Sequence, residues 1–202
     1  MEFFRRASGA GPCPARVGIL AGAFNPVTVA HVALARAALS RVGEVVFVLP
    51  KVFPHKPYDG APFAERVEML RAAIADEPAF SIAAADGGLF VQIAAECREA
   101  YGEDACLTFL CGRDAAERIL NWDYGDPDAV NSMLRQFDLL VAARGGNLET
   151  VPNFRHSVEI LALDDEFDHV SSTEVRERIV QGLPWEHLTP KGARDLVRRV
   201  YG

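Results

Sequence analysis

The stretch Val17-Gly18-Ile19-Leu20-Ala21-Gly22-Ala23-Phe24-Asn25-Pro26-Val27-Thr28-Val29-Ala30-His31 decides the architecture. Val17 to Ala21 is a continuous apolar run, as expected of a strand covered on both faces, and Gly22 ends it. A proline-containing loop follows, and an Ala- and Leu-rich helix is expected from about His31. The same strand, loop, helix unit recurs downstream. Strands are expected at Glu44–Leu49, Phe80–Ala84, Cys106–Cys111, Asp138–Ala143 and Val158–Leu163. Helices are expected over PFAERVEMLRAAIADE, begun near Pro62 with the proline in the first turn, from about Leu89 to Tyr101, and over Asp114–Trp122, Ser172–Gln181 and Pro190–Tyr201. Buried strands alternating with amphipathic helices predict an α/β chain with a doubly wound, mostly parallel sheet and helices on both faces. In such sheets ligands bind beyond the carboxyl ends of the strands. The loops after Ala21, Leu49, Cys111 and Leu163 are therefore the expected working edge.

Composition fits one domain. The chain has 202 residues, half of them hydrophobic and 24% charged, enough apolar material to bury a core. We expect residues 1–16 to be a loose leader and residues 17–202 to form the single domain. The leader lacks an apolar core of signal-peptide length and no run reaches membrane-spanning length, so a cytoplasmic protein without membrane contact is expected. The net charge of −7 argues against a broad nucleic-acid surface. It does not exclude a local cluster of donors around one phosphate. The four cysteines, Cys13, Cys97, Cys106 and Cys111, form no CxxC pair and no metal-ligand spacing, so reduced thiols and no protein-built metal site are expected.

The working loops carry polar groups suited to anions. Thr28 and His31 lie three apart at a helix start, where free N–H groups and the helix dipole favour negative charge. Thr28 also reads as a plain N-terminal cap and His31 as a core-edge histidine. Ser171, Ser172 and Thr173 open another helix with Arg176 one turn in, and the same residues read as a capping box beside an exposed arginine. Pro50 to Pro57 is a stiff loop holding His55 and Lys56. Gly112 and Asp114 follow a strand, where Asp114 can cap a helix or accept from a ribose hydroxyl. Several anion-binding signals on one sheet edge imply a polyphosphate ligand, and no carboxylate dyad, nucleophilic triad or metal cluster competes.

On these residues the chain resembles the nicotinate-nucleotide adenylyltransferase family, within the nucleotidyltransferases that carry an HxGH or TxGH signature and an SSTxxR signature. Gly22 to His31 resembles the first signature, with Thr28 where His is more usual and Ala30 where Gly is. The Pro-His-Lys loop at 54–56, AERVEML at Ala64–Leu70, the GRD segment at Gly112–Asp114 with Trp122 downstream, the strand ending in Arg144, and SSTEVR at Ser171–Arg176 follow in the family's order. The segment Gly87–Gln92 departs from the family's acidic-Ser-Tyr-Thr pattern.

The resemblance implies a Rossmann-like fold and an adenylyl transfer from ATP, carried with Mg2+, to a small phosphate-bearing acceptor, nicotinate mononucleotide first. It implies that His31, Thr28 and Arg176 are catalytic, and that Gly22, Ala23, Phe24, Gly112, Asp114, Ser171, Ser172 and Thr173 bind nucleotide. It further implies that His55, Lys56, Trp122 and Arg144 bind the acceptor. A same-fold transferase using pantetheine phosphate or CTP, and a nucleotide-binding regulator without turnover, stand as alternatives. A homo-oligomer is compatible with all of them.

Overall fold

The computed structural model describes residues 1–9, 16–53, 58–121, 124–143, 157–163, 165–167 and 169–202. Its core is a seven-stranded sheet: β1 (Glu2–Arg5), β2 (Arg16–Ala21), β3 (Glu44–Pro50), β4 (Phe80–Ala85), β5 (Cys106–Gly112), β6 (Asp138–Ala143) and β7 (Val158–Ala162), in the order β1-β4-β3-β2-β5-β6-β7. All neighbours are parallel except β1 and β4. This is the expected doubly wound sheet, and the order reverses between β2 and β5.

Side chains alternate across β3 as the period of a strand requires. Val45, Phe47 and Leu49 enter one core with helices α1 (Val29–Ala38), α2 (Phe63–Ala73), α6 (Ser172–Val180) and α7 (Arg194–Tyr201). Val46 and Val48 enter the other, with α3 (Phe90–Tyr101), α4 (Arg113–Asn121) and α5 (Ala129–Leu134). Burying both faces is what makes the strand sequences apolar throughout.

Four features differ from expectation. Residues 2–5 are not loose: they pair antiparallel with β4, Glu2 opposite Ala84 and Phe3 opposite Ala83. The reason is packing on both faces at once, since Phe3 meets the Tyr101 ring at 5.9 Å and Phe4 meets Phe63 at 5.7 Å. The helix α2 ends at Ala73, with Pro62 as its cap rather than within its first turn. The last helix begins at Arg194, because Lys191–Ala193 forms a separate 3-10 turn pressed against α2. A Cβ on Gly192 would lie 2.2 Å from the Ala72 carbonyl oxygen, so only glycine fits that approach. The short helix α5 was not expected at all.

Pairing between β2 and β5 runs from Arg16 opposite Cys106 to Ile19 opposite Phe109. Both strands continue past that point, β2 to Ala21 along β3 and β5 to Gly112 along β6. They part at the switch point, and the loops after β2 and β5 flank the gap.

Candidate active site

The site is built where the β2–α1 loop meets the start of α6. Ser172 Oγ donates to the Pro26 carbonyl at 2.7 Å and Arg176 Nη1 to the Asn25 carbonyl at 2.5 Å, contacts that join residues 146 and 151 apart in the chain. Arg176 also donates to the Ser172 carbonyl, at 3.1 Å. The two segments singled out in the sequence therefore touch directly.

His31 sits one turn into α1. The Thr28 N–H donates to its Nδ1 at 3.0 Å, and Thr28 Oγ1 lies 2.8 Å from the same nitrogen. Because Nδ1 accepts, a neutral ring carries its proton on Nε2 and presents it as a donor. Burial lowers the pKa of His31 to about 4, so the ring is neutral at physiological pH. Phe24 packs edge-on to the imidazole with centroids 5.2 Å apart. Thr28 itself is fully buried. Its hydroxyl is committed to orienting His31, so the structure makes it a support for the histidine rather than an open phosphate contact.

At α6, Ser171 Oγ accepts from the Glu174 N–H at 3.1 Å and is a helix cap. The Glu174 carboxylate turns to Arg178 instead of back to the cap. Thr173 is exposed, its hydroxyl 3.4 Å from Arg176 Nη2. Gly22 donates its N–H to the Val48 carbonyl at 3.0 Å, which carries the loop across the end of β3. Gly112 is exposed at the end of β5, with open space where a Cβ would stand. Asp114 lies in the first turn of α4 and lines an open recess of about 690 Å³ with Glu117, Arg118 and Asn121. His55, Lys56, Trp122 and Arg144 lie outside the described residues.

The departing segment Gly87–Gln92 is held by the chain's own side chains. Gln92 Oε1 accepts from the N–H groups of Gly88 and Leu89, both at 3.1 Å, and Glu96 accepts from those of Asp86 and Gly87. Nearby, Lys51 at the end of β3 pairs with Asp86 at 2.7 Å.

Sequence reasoning missed a second layer behind the loop. Asn25 is buried, and its Oδ1 accepts from the Ala61 N–H at 3.0 Å and from the Tyr201 hydroxyl. A Cβ on Gly60 would lie 2.0 Å from Asn25 Nδ2, so this crossing requires glycine. Arg66 is 3% exposed and donates from Nη1 to the Ala23 carbonyl at 2.8 Å. Arg66 precedes the buried Met69 and Leu70 by three and four residues and so shares the core face of α2, but that spacing alone does not separate it from a solvated arginine. Among the described residues neither Arg66 nor Arg176 has an ion-pair partner, so positive charge is concentrated here inside an acidic protein.

Among the described residues no group of three His, Cys, Asp or Glu could hold a metal ion, and no helix is long and apolar enough to cross a membrane. Cys97, Cys106 and Cys111 are free, and burial pushes the thiols of Cys97 and Cys111 up to about 12.

A family described as Cytidylyltransferase-like matches residues 19–178. A protein of Rubrobacter xylanophilus named "Probable nicotinate-nucleotide adenylyltransferase" is 33% identical over 90% of this chain and 89% of its own length. One of the same name from Coprothermobacter proteolyticus is 30% identical over 87% and 89%. Among solved structures, Plasmodium falciparum nicotinic acid mononucleotide adenylyltransferase complexed with NaAD superposes with a TM-score of 0.68 at 16% identity, covering 91% of this chain and 95% of that one. The same enzyme complexed with APC gives 0.71 at 14% identity, covering 91% and 94%.

Proposed function

Since the chain belongs to the cytidylyltransferase-like family, and within it to the nicotinate-nucleotide adenylyltransferases, we propose that it transfers AMP from ATP to the 5′-phosphate of nicotinate mononucleotide. A phosphate oxygen of the acceptor attacks the α-phosphorus, the bond to the β-phosphate oxygen breaks, and pyrophosphate leaves. The observation that carries this reading is the direct junction of the β2–α1 loop, which leads into His31, with Ser172 and Arg176 of α6. No protein nucleophile is required. Alignment and stabilisation of the charge growing on pyrophosphate suffice for phosphoryl chemistry.

In this reading the neutral His31 donates from Nε2 to a phosphate oxygen, and Thr28 holds the ring in the tautomer that can do so. Arg176 and the α6 N-terminus face the same phosphates, with Ser171, Ser172 and Thr173 at that helix start. Gly22, Ala23 and Phe24 form the loop under the triphosphate. Gly112 and Asp114 lie on the side proposed for ribose. We assign His55, Lys56, Trp122 and Arg144 to the acceptor. Magnesium belongs to the substrate, entering as Mg-ATP with the phosphate oxygens as its ligands. The setting proposed is NAD synthesis in the cytoplasm.

Incubation of the purified protein with Mg-ATP and nicotinate mononucleotide should release pyrophosphate and yield the dinucleotide by chromatography. His31→Ala should cut kcat by about 10²- to 10³-fold, the scale of removing one donor to a developing anion. No product with either nicotinate or nicotinamide mononucleotide overturns the reading.

A further inference from the structure

The backbone at Phe24 is left-handed, with φ of 48°, a conformation costly for a residue with a bulky side chain. Such a turn persists only where its surroundings over-determine it. Here the two carbonyls on either side of Phe24 are each taken by a guanidinium. The Ala23 oxygen accepts from Arg66 on α2 and the Asn25 oxygen from Arg176 on α6. Arg66 reaches its carbonyl from inside the protein, stacked 4.4 Å from the Tyr58 ring centroid. Its Nε is buried without a partner, and no carboxylate balances it among the described residues. A buried arginine with unspent hydrogen-bonding capacity is costly, and α2 could have filled this position with an aliphatic residue at no such penalty. The bond that distinguishes arginine from an aliphatic residue here is the one to Ala23.

We propose that Arg66 is a positioning residue for the adenylyl-transfer reaction: together with Arg176 it clamps the Phe24 turn and so presses the Phe24 ring against His31. The inference rests on the function proposed above, in which His31 is the phosphate donor. Arg66 touches no reacting atom in this account. It acts through the Ala23 carbonyl, the Phe24 backbone and the aromatic contact to the imidazole. Its loss should therefore spare substrate affinity and slow the chemical step.

The test compares Arg66→Met and Arg66→Lys with the unaltered chain. With Mg-ATP and nicotinate mononucleotide, Arg66→Met should lower kcat by about 50-fold while each KM stays within about threefold, as a displaced catalytic group does. Arg66→Lys, whose ammonium can still donate to Ala23, should recover about tenfold of that loss. A second readout follows the His31 ring protons by NMR without substrate. In Arg66→Met the titration midpoint should rise from near 4 towards the ordinary 6.5, because the ring is no longer held against Phe24. A purely structural arginine would lower Tm and leave the midpoint of the folded fraction where it was. Unchanged kcat in both variants, or a His31 midpoint that does not move, overturns the proposal. If Arg66→Met does not fold, Arg66→Lys carries the test: kcat and a His31 midpoint both equal to those of the unaltered chain overturn it. Absence of turnover in the unaltered chain would reject the proposed reaction alone, and the NMR arm would still decide whether Arg66 holds His31.

Discussion

At the scale of single residues, His31 is the group whose state the rest of the site controls. Its folded pKa of about 4 lies below the ordinary 6.5, so between those values the unfolded chain holds a proton that the folded chain refuses. The sign follows: this residue's contribution to stability is complete above pH 6.5 and is lost as pH falls towards 4. We expect unfolding in urea at pH 4.5 and pH 7 to show a smaller acid loss in His31→Gln than in the unaltered chain, by on the order of 2 kcal/mol. An equal loss in both would mean that the ring is not withdrawn from water. The candidate roles of His31 and Arg176 could be read in the sequence because they sit on loops with helix-start chemistry. Arg66 could not be read the same way, since an arginine in Ala64–Leu70 fits a solvated helix face equally well. Only the tertiary packing of Tyr58 and Ala23 around it reveals a buried cation. Thr28 illustrates the converse: it stands at the N-cap position the sequence suggested, and there its N–H and hydroxyl meet His31 Nδ1 and orient the ring.

At the scale of elements, continuous apolar runs made β2 through β7 legible, and the short edge strand β1 was not. Glu2-Phe3-Phe4-Arg5 has too few residues for a period to register, and its hydrophobic pair reads as exposed until β4 supplies a partner. Once paired, Phe3 and Phe4 enter opposite cores. Phe3→Ala and Phe4→Ala should each cost about 2 kcal/mol, less than a fully buried phenylalanine because both are partly exposed. The double variant should be additive, since the sheet separates the two sites. Coupling above about 0.5 kcal/mol in a denaturation cycle would show that β1 detaches as a unit instead. The same edge explains a buried carboxylate absent from the sequence reading. Glu44, at the start of β3, accepts from the hydroxyls of Ser81 and Tyr101, and Ser81 accepts from the Ala7 N–H. That network fastens the N-terminal segment at the sheet edge opposite the site. The late start of α7 had a cause the sequence hides, the contact of Gly192 with a carbonyl on another helix.

At the scale of the molecule, the net charge of −7 describes the outer surface. Its ion pairs are mostly exposed, such as Arg36 with Glu77 and Arg199 with Glu65, and pairs of that kind contribute little each. Arg66 and Arg176, which make no ion pair among the described residues, both reach the β2–α1 loop beside the switch point. The parting of β2 and β5 after Ile19 and Phe109 has its own consequence. The β2–β5 ladder, four residue pairs long, joins β1–β4 to β5–β7, two slabs of one continuous sheet. Backbone bonds do not close the upper end of that seam, so a triphosphate lying across it would serve as a staple between the slabs. Saturating Mg-ATP should slow amide hydrogen exchange at Gly18–Leu20 and Phe109–Cys111 more than along the β6–β7 ladder, whereas uniform slowing would mean that the nucleotide sits on one slab alone. Breathing of the seam would then set how fast nucleotide enters and product departs.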